Sequence, residues 1–93
     1  MTILLLDASD DVAVTTDALA AGAVVEAPGT GPVELRSAIP GGHKFALRDV
    51  PTGGVVRKYG SPIGVASQPI LRGDHVHVHN LDSQRAHKDG RRP

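Results

Sequence analysis

The predicted fold depends on a repeat, Ala46-Leu-Arg-Asp-Val50-Pro-Thr-Gly53-Gly-Val-Val56, which recurs 20 residues later as Ala66-Ser-Gln-Pro-Ile70-Leu-Arg-Gly73-Asp-His-Val76. Each copy consists of a strand end, an apolar anchor, a glycine turn and a new strand. A looser third copy runs through residues 13–25 and has Gly22 at the corresponding place. We expect Gly22, Gly53 and Gly73 to adopt a positive φ, which costs glycine little.

The rest of the chain also alternates between short apolar pieces and turn residues. Eleven glycines and seven prolines among 93 residues interrupt it. Runs of Val, Ile and Thr between such residues are typical of strands. The predicted strands are residues 3–6, 13–15, 23–26, 33–35, 44–47, 55–58, 62–66 and 75–79. Residues 16–21 have a composition that favours a helix, but they are too few for more than one turn. The sequence therefore predicts an all-β protein with many tight turns.

The composition limits the class of protein. A chain of 93 residues is one domain. The absence of cysteine excludes disulfides and thiolate metal sites. No apolar run is long enough to span a bilayer, so we expect a cytoplasmic protein without membrane contact. The only aromatic residues are Phe45 and Tyr59, so the core must consist of Val, Ala, Leu and Ile. A partner or a homo-oligomer would help to stabilise so small a core.

The net charge is zero, but the charges are unevenly distributed. Residues up to Glu34 include six acids and no Lys or Arg, whereas residues 35–81 carry +4 and residues 82–93 carry +2. This asymmetry indicates an anionic partner for the second half, or else only solvation. Residues 82–93 lack apolar periodicity and are predicted to form a flexible basic tail. No aromatic residue is interleaved there for base stacking, so nucleic acid is not an expected partner.

The stretch with the most candidate site residues is His75-Val76-His77-Val78-His79-Asn80. In a strand, alternate side chains share a face, so Val76 and Val78 would face the core and the three histidines the other side. Neighbours on one face lie about 6.6 Å apart. Two imidazoles at that spacing can bind one divalent ion at ~2.0–2.1 Å, or a histidine can transfer protons. A solvated strand face is the other interpretation of the pattern.

A second candidate is Gly41-Gly42-His43-Lys44-Phe45-Ala46-Leu47. The two glycines allow close approach of the backbone, and a strand then begins at His43 and Lys44. His43 would share a face with Phe45, where a histidine at a strand end can be a structural residue, and Lys44 would lie on the opposite face. Lys44 is either solvated or binds a carboxylate as a point charge. The chain contains neither a phosphate-binding loop nor a nucleophile elbow motif.

Three segments, in this order, resemble the SAF domain of the altronate and galactarate dehydratases. They are Gly42-His-Lys-Phe-Ala-Leu-Arg-Asp-Val-Pro51, Val56-Arg-Lys-Tyr-Gly-Ser-Pro-Ile-Gly64 and Gly73-Asp-His-Val-His-Val-His-Asn-Leu81. Asp10-Asp-Val-Ala-Val14, followed by Gly22, is similar to the start of that domain. The resemblance implies a β-clip fold over residues 1–81. It also implies dehydration of a sugar acid, or elimination of sulfite from sulfolactate as in a related two-subunit lyase.

The resemblance further implies a cofactor, partners and site residues. The cofactor is a divalent metal, iron(II) or manganese, and the partners are a large catalytic dehydratase subunit and the sugar-acid substrate. The site residues it implies are catalytic His43, Lys44 and His77, substrate-binding Lys44, Arg48 and Asn80, and metal-binding His77 and His79. Asn80 would orient a histidine or close a turn, His75 is the most replaceable of its stretch, and His87 has no expected role. A non-catalytic module that binds a ligand or a partner remains the alternative.

Overall fold

The structure, a computed structural model, describes residues 3–4, 10–27 and 29–83. These residues contain nine short strands. The strands are β1 (Ile3–Leu4), β2 (Val12–Thr15), β3 (Val24–Ala27), β4 (Gly31–Glu34), β5 (Lys44–Ala46), β6 (Val55–Lys58), β7 (Ser61–Ala66), β8 (His75–Val76) and β9 (Leu81–Asp82). They make three antiparallel sheets, with the orders β1-β2-β5-β8, β3-β4 and β6-β7-β9. The predicted all-β fold is confirmed.

Each predicted strand overlaps an observed one, but the last prediction is wrong in extent. Residues 75–79 were predicted as a single strand, whereas β8 ends at Val76 and the chain turns through residues 77–80. It then enters β9, where Asp82 lies opposite Val65 of β7. The first residue of the predicted tail therefore belongs to a strand, and residues 84–93 lie outside the described residues. In the described part of the chain, no helix is long and apolar enough to cross a membrane.

The central sheet β1-β2-β5-β8 separates two hydrophobic clusters. In strands β2 and β5, Ala13 lies opposite Phe45 and Val12 lies opposite Ala46. Because alternate residues face opposite sides, each pair belongs to a different cluster. The first core cluster, beside the hairpin β3–β4, consists of Ala13, Val25, Ala27, Val33, Leu35, Ile39, Phe45 and Leu47. The second core cluster, beside β6 and β7, consists of Val12, Ala46, Val50, Val56, Ala66, Ile70 and Val76.

The predicted glycine repeat is present, with a fourth copy that the sequence analysis missed. The four glycines have positive φ angles, at Gly22 (+86°), Gly42 (+83°), Gly53 (+84°) and Gly73 (+92°). Gly42 belongs to the missed copy, in residues 36–42. At Gly73 a side chain is excluded for a second reason, because its Cβ would meet the main-chain carbonyl oxygen of Glu34.

The apolar anchors of the four copies pair with one another. Leu19 and Ile39 exchange two backbone hydrogen bonds of 2.8 Å, and Val50 and Ile70 exchange bonds of 2.7 and 2.8 Å. A separation of 31 residues relates Leu19 to Val50 and Ile39 to Ile70. The copy in residues 36–42 leads into β5 and the copy in residues 66–76 leads into β8, and these two strands lie side by side in the central sheet. The repeat therefore brings together the two segments that carry the predicted site residues.

Candidate functional site

Four histidines meet at one end of the central sheet, and we call His43, His75, His77 and His79 the histidine cluster. His43 directly precedes β5, and His75 is the first residue of β8. The strands are antiparallel, with Phe45 opposite His75. Continuing this register past the strand ends places His77 beside His43. Strand pairing thus joins two of the predicted catalytic residues, which come from distant parts of the chain.

The rings of the histidine cluster lie against one another. The ring centre of His43 is 5.0 Å from that of His75 and 4.5 Å from that of His77, and both pairs are stacked. His75 also lies 5.6 Å from His77 and 5.5 Å from His79. His79 is exposed, whereas the other three are half-buried. His75, expected to be the most replaceable histidine of its stretch, is therefore the one that contacts the other three.

A hydrogen bond joins two rings of the histidine cluster. Nδ1 of His43 and Nε2 of His75 are 2.8 Å apart, so one of these nitrogens donates and the other accepts. Burial lowers the pKa of His75 below its ordinary value, and the neighbouring charges of His43, His79, His77 and Lys44 lower it further. The environment thus favours the neutral imidazole at His75.

The turn after β8 is built by the side chain of Asn80. Its Oδ1 accepts a hydrogen bond from the backbone N–H of His77 at 3.0 Å, and its Nδ2 donates to the backbone oxygen of His75 at 2.8 Å. Asn80 is 2% exposed. Both ends of its amide therefore serve the turn, which was one of its two expected roles. Short polar side chains commonly compete with strand pairing in this way.

This turn overturns the prediction that Val78 faces the core. Val76 is fully buried in the second core cluster, but Val78 is 81% exposed. The alternating His-Val pattern favoured a continuous strand, and the asparagine at its end was the local signal for a turn. His79 consequently lies in a turn rather than on a strand.

Lys44 lies on the other side of β5 from His43. It is opposite Val76, whose side chain belongs to the second core cluster. Lys44 is half-buried, and its burial, followed by the nearby positive charge of Lys58, lowers its pKa. The charge of Lys44 also contributes to the lowered pKa of His75. Lys44 is therefore electrostatically linked to the histidine cluster.

Arg48, predicted to contact substrate, lies at the opposite end of β5. Its Nε is 3.2 Å from Oδ1 of Asp11, and its Nη2 donates to the backbone oxygen of Asp10 at 2.9 Å. At this end Leu47 donates its N–H to the backbone oxygen of Asp11. The strand separates Arg48 from His43, so the structure does not bring it to the histidine cluster.

Asp10 and Asp11, which we call the aspartate pair, organise that end of the sheet. Asp10 is 1% exposed, and its carboxylate accepts hydrogen bonds from the backbone N–H groups of Tyr59 and Gly60, both at 2.8 Å. Asp11 accepts from the backbone N–H of Arg57 at 2.8 Å. Tyr59 has a φ of +56°, so Asp10 holds the β6–β7 turn in a backbone conformation that is uncommon for a tyrosine.

The donor chemistry of the histidine cluster suits a divalent metal, since imidazole nitrogens bind iron, zinc and related ions. Within residues 10–27 and 29–83, however, no three His, Asp or Glu side chains are arranged to hold a metal ion. The described part of the chain therefore offers imidazole donors but not three gathered ligands.

Sequence comparison identifies the family of the chain. The family described as "Altronate/galactarate dehydratase SAF domain" matches residues 1–84. The chain belongs to this family. The predicted resemblance is thereby confirmed, and its β-clip expectation agrees with the short antiparallel strands described above.

This SAF domain is also similar to curated lyases. It is 45% identical over 80 residues to altronate dehydratase of Escherichia coli strain K12, which covers 86% of this chain and 16% of the relative. It is 44% identical over 64 residues to (2R)-sulfolactate sulfo-lyase subunit alpha of Chromohalobacter salexigens, covering 69% of this chain and 68% of the relative. Altronate dehydratase of Bacillus subtilis strain 168 is 48% identical over 48 residues, or 52% of this chain and 10% of the relative. The chain thus spans a small part of the altronate dehydratases and about two thirds of subunit alpha.

Proposed function

We propose that this SAF domain is the small subunit of a sugar-acid dehydratase of altronate/galactarate type and helps a large subunit to eliminate water from an aldonic or aldaric acid. The observation that carries the proposal is the histidine cluster in a member of this family. In this reaction a base removes the proton α to the carboxylate. The resulting enolate charge must be stabilised, and the β-hydroxyl must be protonated or bound to a metal as it leaves.

His43 and His77 are the proposed proton-transfer groups. They are half-buried and their ring centres are 4.5 Å apart, so one substrate can reach both. Lys44 is the proposed carboxylate ligand. Burial, followed by the positive charge of Lys58, lowers the pKa of Lys44, and a bound anion would favour its protonated form against both effects. Arg48 is instead proposed to stabilise the fold, through its contacts with the aspartate pair.

Asn80, the other residue predicted to contact substrate, is likewise assigned to the scaffold, since its amide closes the turn that carries His77. As the alternative to proton transfer, His77 joins His79 as a ligand of a divalent metal, iron(II) or manganese, and His43 then transfers the proton alone. Bound there, the metal would supply Lewis acidity toward the leaving hydroxyl. Because three ligands are not gathered within the described residues, the remaining ones are assigned to the large subunit.

The proposed arrangement of two subunits is supported by the lengths of the relatives. The matched region is only 16% of the E. coli altronate dehydratase, so most of that enzyme lies outside it. The matched 64 residues make up 68% of the sulfo-lyase subunit alpha, so most of that subunit corresponds to this domain. This relative supports a small subunit that acts beside a large catalytic one.

The same relative favours a second candidate function, the small subunit of a sulfolactate sulfo-lyase. Elimination of sulfite from sulfolactate also begins with loss of the proton α to a carboxylate, so the same histidines and Lys44 would serve. The two candidates differ in the leaving group, and only the substrate distinguishes them.

The experiment is an elimination assay of the chain in complex with the large subunit that co-purifies with it, on altronate, galactarate, other sugar acids and sulfolactate. We expect His43→Ala and His77→Ala each to lower kcat at least about 100-fold, the usual size of general acid–base catalysis, without loss of assembly. His87→Ala is the matched control, since no role is assigned to that histidine. Full activity of both His43→Ala and His77→Ala would refute the proposed site and favour a non-catalytic binding module.

A further inference from the structure

His75 is the one member of the histidine cluster to which the proposed function gives no role. Its ring nevertheless contacts the other three and is hydrogen bonded to His43. A histidine on a solvated strand face would not be expected to contact three other rings. These contacts indicate that His75 acts on His43.

The backbone holds His75 firmly on both sides. Its N–H donates to Oγ of Ser37 at 3.3 Å, and its carbonyl oxygen accepts from Nδ2 of Asn80 at 2.8 Å. It also lies opposite the fully buried Phe45 in the β5–β8 pair. The backbone position of His75 is therefore set by the scaffold, and its ring reaches His43 from that position.

The hydrogen bond between the two rings has two possible directions. If Nε2–H of His75 donates, the remaining hydrogen of neutral His43 lies on Nε2, and no lone pair is free to meet a substrate proton. If Nδ1–H of His43 donates, the free lone pair of His43 lies at Nε2, on the other side of its ring from His75. A partner at one ring nitrogen decides the state of the other.

We infer that His75 is a positioning residue for His43: its Nε2 accepts the hydrogen bond from Nδ1–H of His43 and so keeps the lone pair of His43 at Nε2, toward the reacting substrate. The inference rests on the proposed function in that His43 transfers a proton. It goes beyond that function because it gives His75 a role in which it touches neither substrate nor metal.

Two variants separate the hydrogen bond from the ring contacts. His75→Phe keeps a flat ring for stacking but removes both nitrogens. His75→Gln removes the ring but can place its amide oxygen where Nε2 lies, so it can still accept the hydrogen bond. Thermal unfolding of each chain verifies that both variants are folded before they are compared.

The first readout is the ¹⁵N NMR spectrum of the His43 ring in the full chain without any partner. We expect a protonated Nδ1 and an unprotonated Nε2 in the unmodified chain and in His75→Gln, and a mixture of the two tautomers in His75→Phe. A proton on Nε2 of His43 in the unmodified chain would overturn the inference.

The second readout is the kinetics of the complex with the large subunit. We expect His75→Phe to lower kcat at least about tenfold with KM changed less than about twofold, and His75→Gln to recover kcat to within about threefold. Equal impairment of both variants, or no loss in His75→Phe, would overturn the inference. Full activity of both His43→Ala and His77→Ala would instead refute the proposed function, and the tautomer of His43, which is read without substrate or partner, distinguishes the two failures.

Discussion

The two ends of β5 are both polar, but they use their polar groups in opposite ways. At one end the aspartate pair is buried, and its carboxylates accept hydrogen bonds from three backbone N–H groups and one guanidinium. At the other end the histidine cluster is half-buried to exposed, and its rings mainly contact one another. The aspartate pair thus stabilises the fold, whereas the histidine cluster is proposed to use its ring nitrogens for proton transfer and metal binding.

The largest expected effect is on stability, in Asp10→Ala. This change removes both hydrogen bonds to the β6–β7 turn, and bonds to a charged group contribute roughly 1.5–3 kcal/mol each. We expect the free energy of unfolding to fall by about 3 kcal/mol, measured by urea unfolding of the chain.

Glu26→Ala is the control for Asp10→Ala, because Glu26 is an exposed acid on β3. It should change the free energy of unfolding by less than about 0.5 kcal/mol. A similarly small change in Asp10→Ala would mean that the aspartate pair does not hold the turn, and the comparison of the two ends would fail.

A smaller effect is expected in Arg48→Ala. The side chain of Arg48 is 50% exposed, and such ion pairs contribute at most about 1 kcal/mol. We expect Arg48→Ala to lower the free energy of unfolding by at most about 1 kcal/mol. We expect it to change KM of the complex for its substrate less than about twofold. A rise in KM of tenfold or more would place Arg48 at the substrate after all, as the sequence predicted.

The smallest effect concerns the electrostatic link between Lys44 and Lys58. The positive charge of Lys58 disfavours the protonated form of Lys44, so Lys58→Gln should raise the pKa of Lys44. The pKa should stay below 10.5, since burial is the larger cause of its depression. NMR titration of Lys44 measures this, with Arg57→Gln on the same strand as the control. An unchanged or lower pKa in Lys58→Gln would contradict the assigned cause.

Local patterns were sufficient for most of the fold. Apolar runs between glycines and prolines predicted every strand except β9, and the positive φ of Gly22, Gly53 and Gly73 followed from the repeat. The copy in residues 36–42 also obeys the 20-residue spacing, since Ile39 follows Leu19 at the distance at which Ile70 follows Val50, so the recognised offset could have located it.

The arrangement of the site was harder to predict. The sequence identified His43, Lys44 and the histidine stretch from residue type alone. The contact between His43 and His77 depends on the pairing of β5 with β8, which no local pattern specifies. The exposed position of Val78 depends on Asn80, whose side chain interrupts a pattern that otherwise favours a strand. Long-range pairing and one side-chain hydrogen bond thus account for what sequence analysis missed.

The shared central sheet also determines how the protein unfolds. Strands β2 and β5 each contribute residues to both core clusters, through Ala13 and Phe45 on one side and Val12 and Ala46 on the other. Neither core cluster can be exposed to solvent while the other stays packed, because both depend on the same two strands. Such coupling makes unfolding cooperative. Since His43 and Lys44 flank the start of β5, the candidate site is anchored to the strand that is released only when the whole domain unfolds.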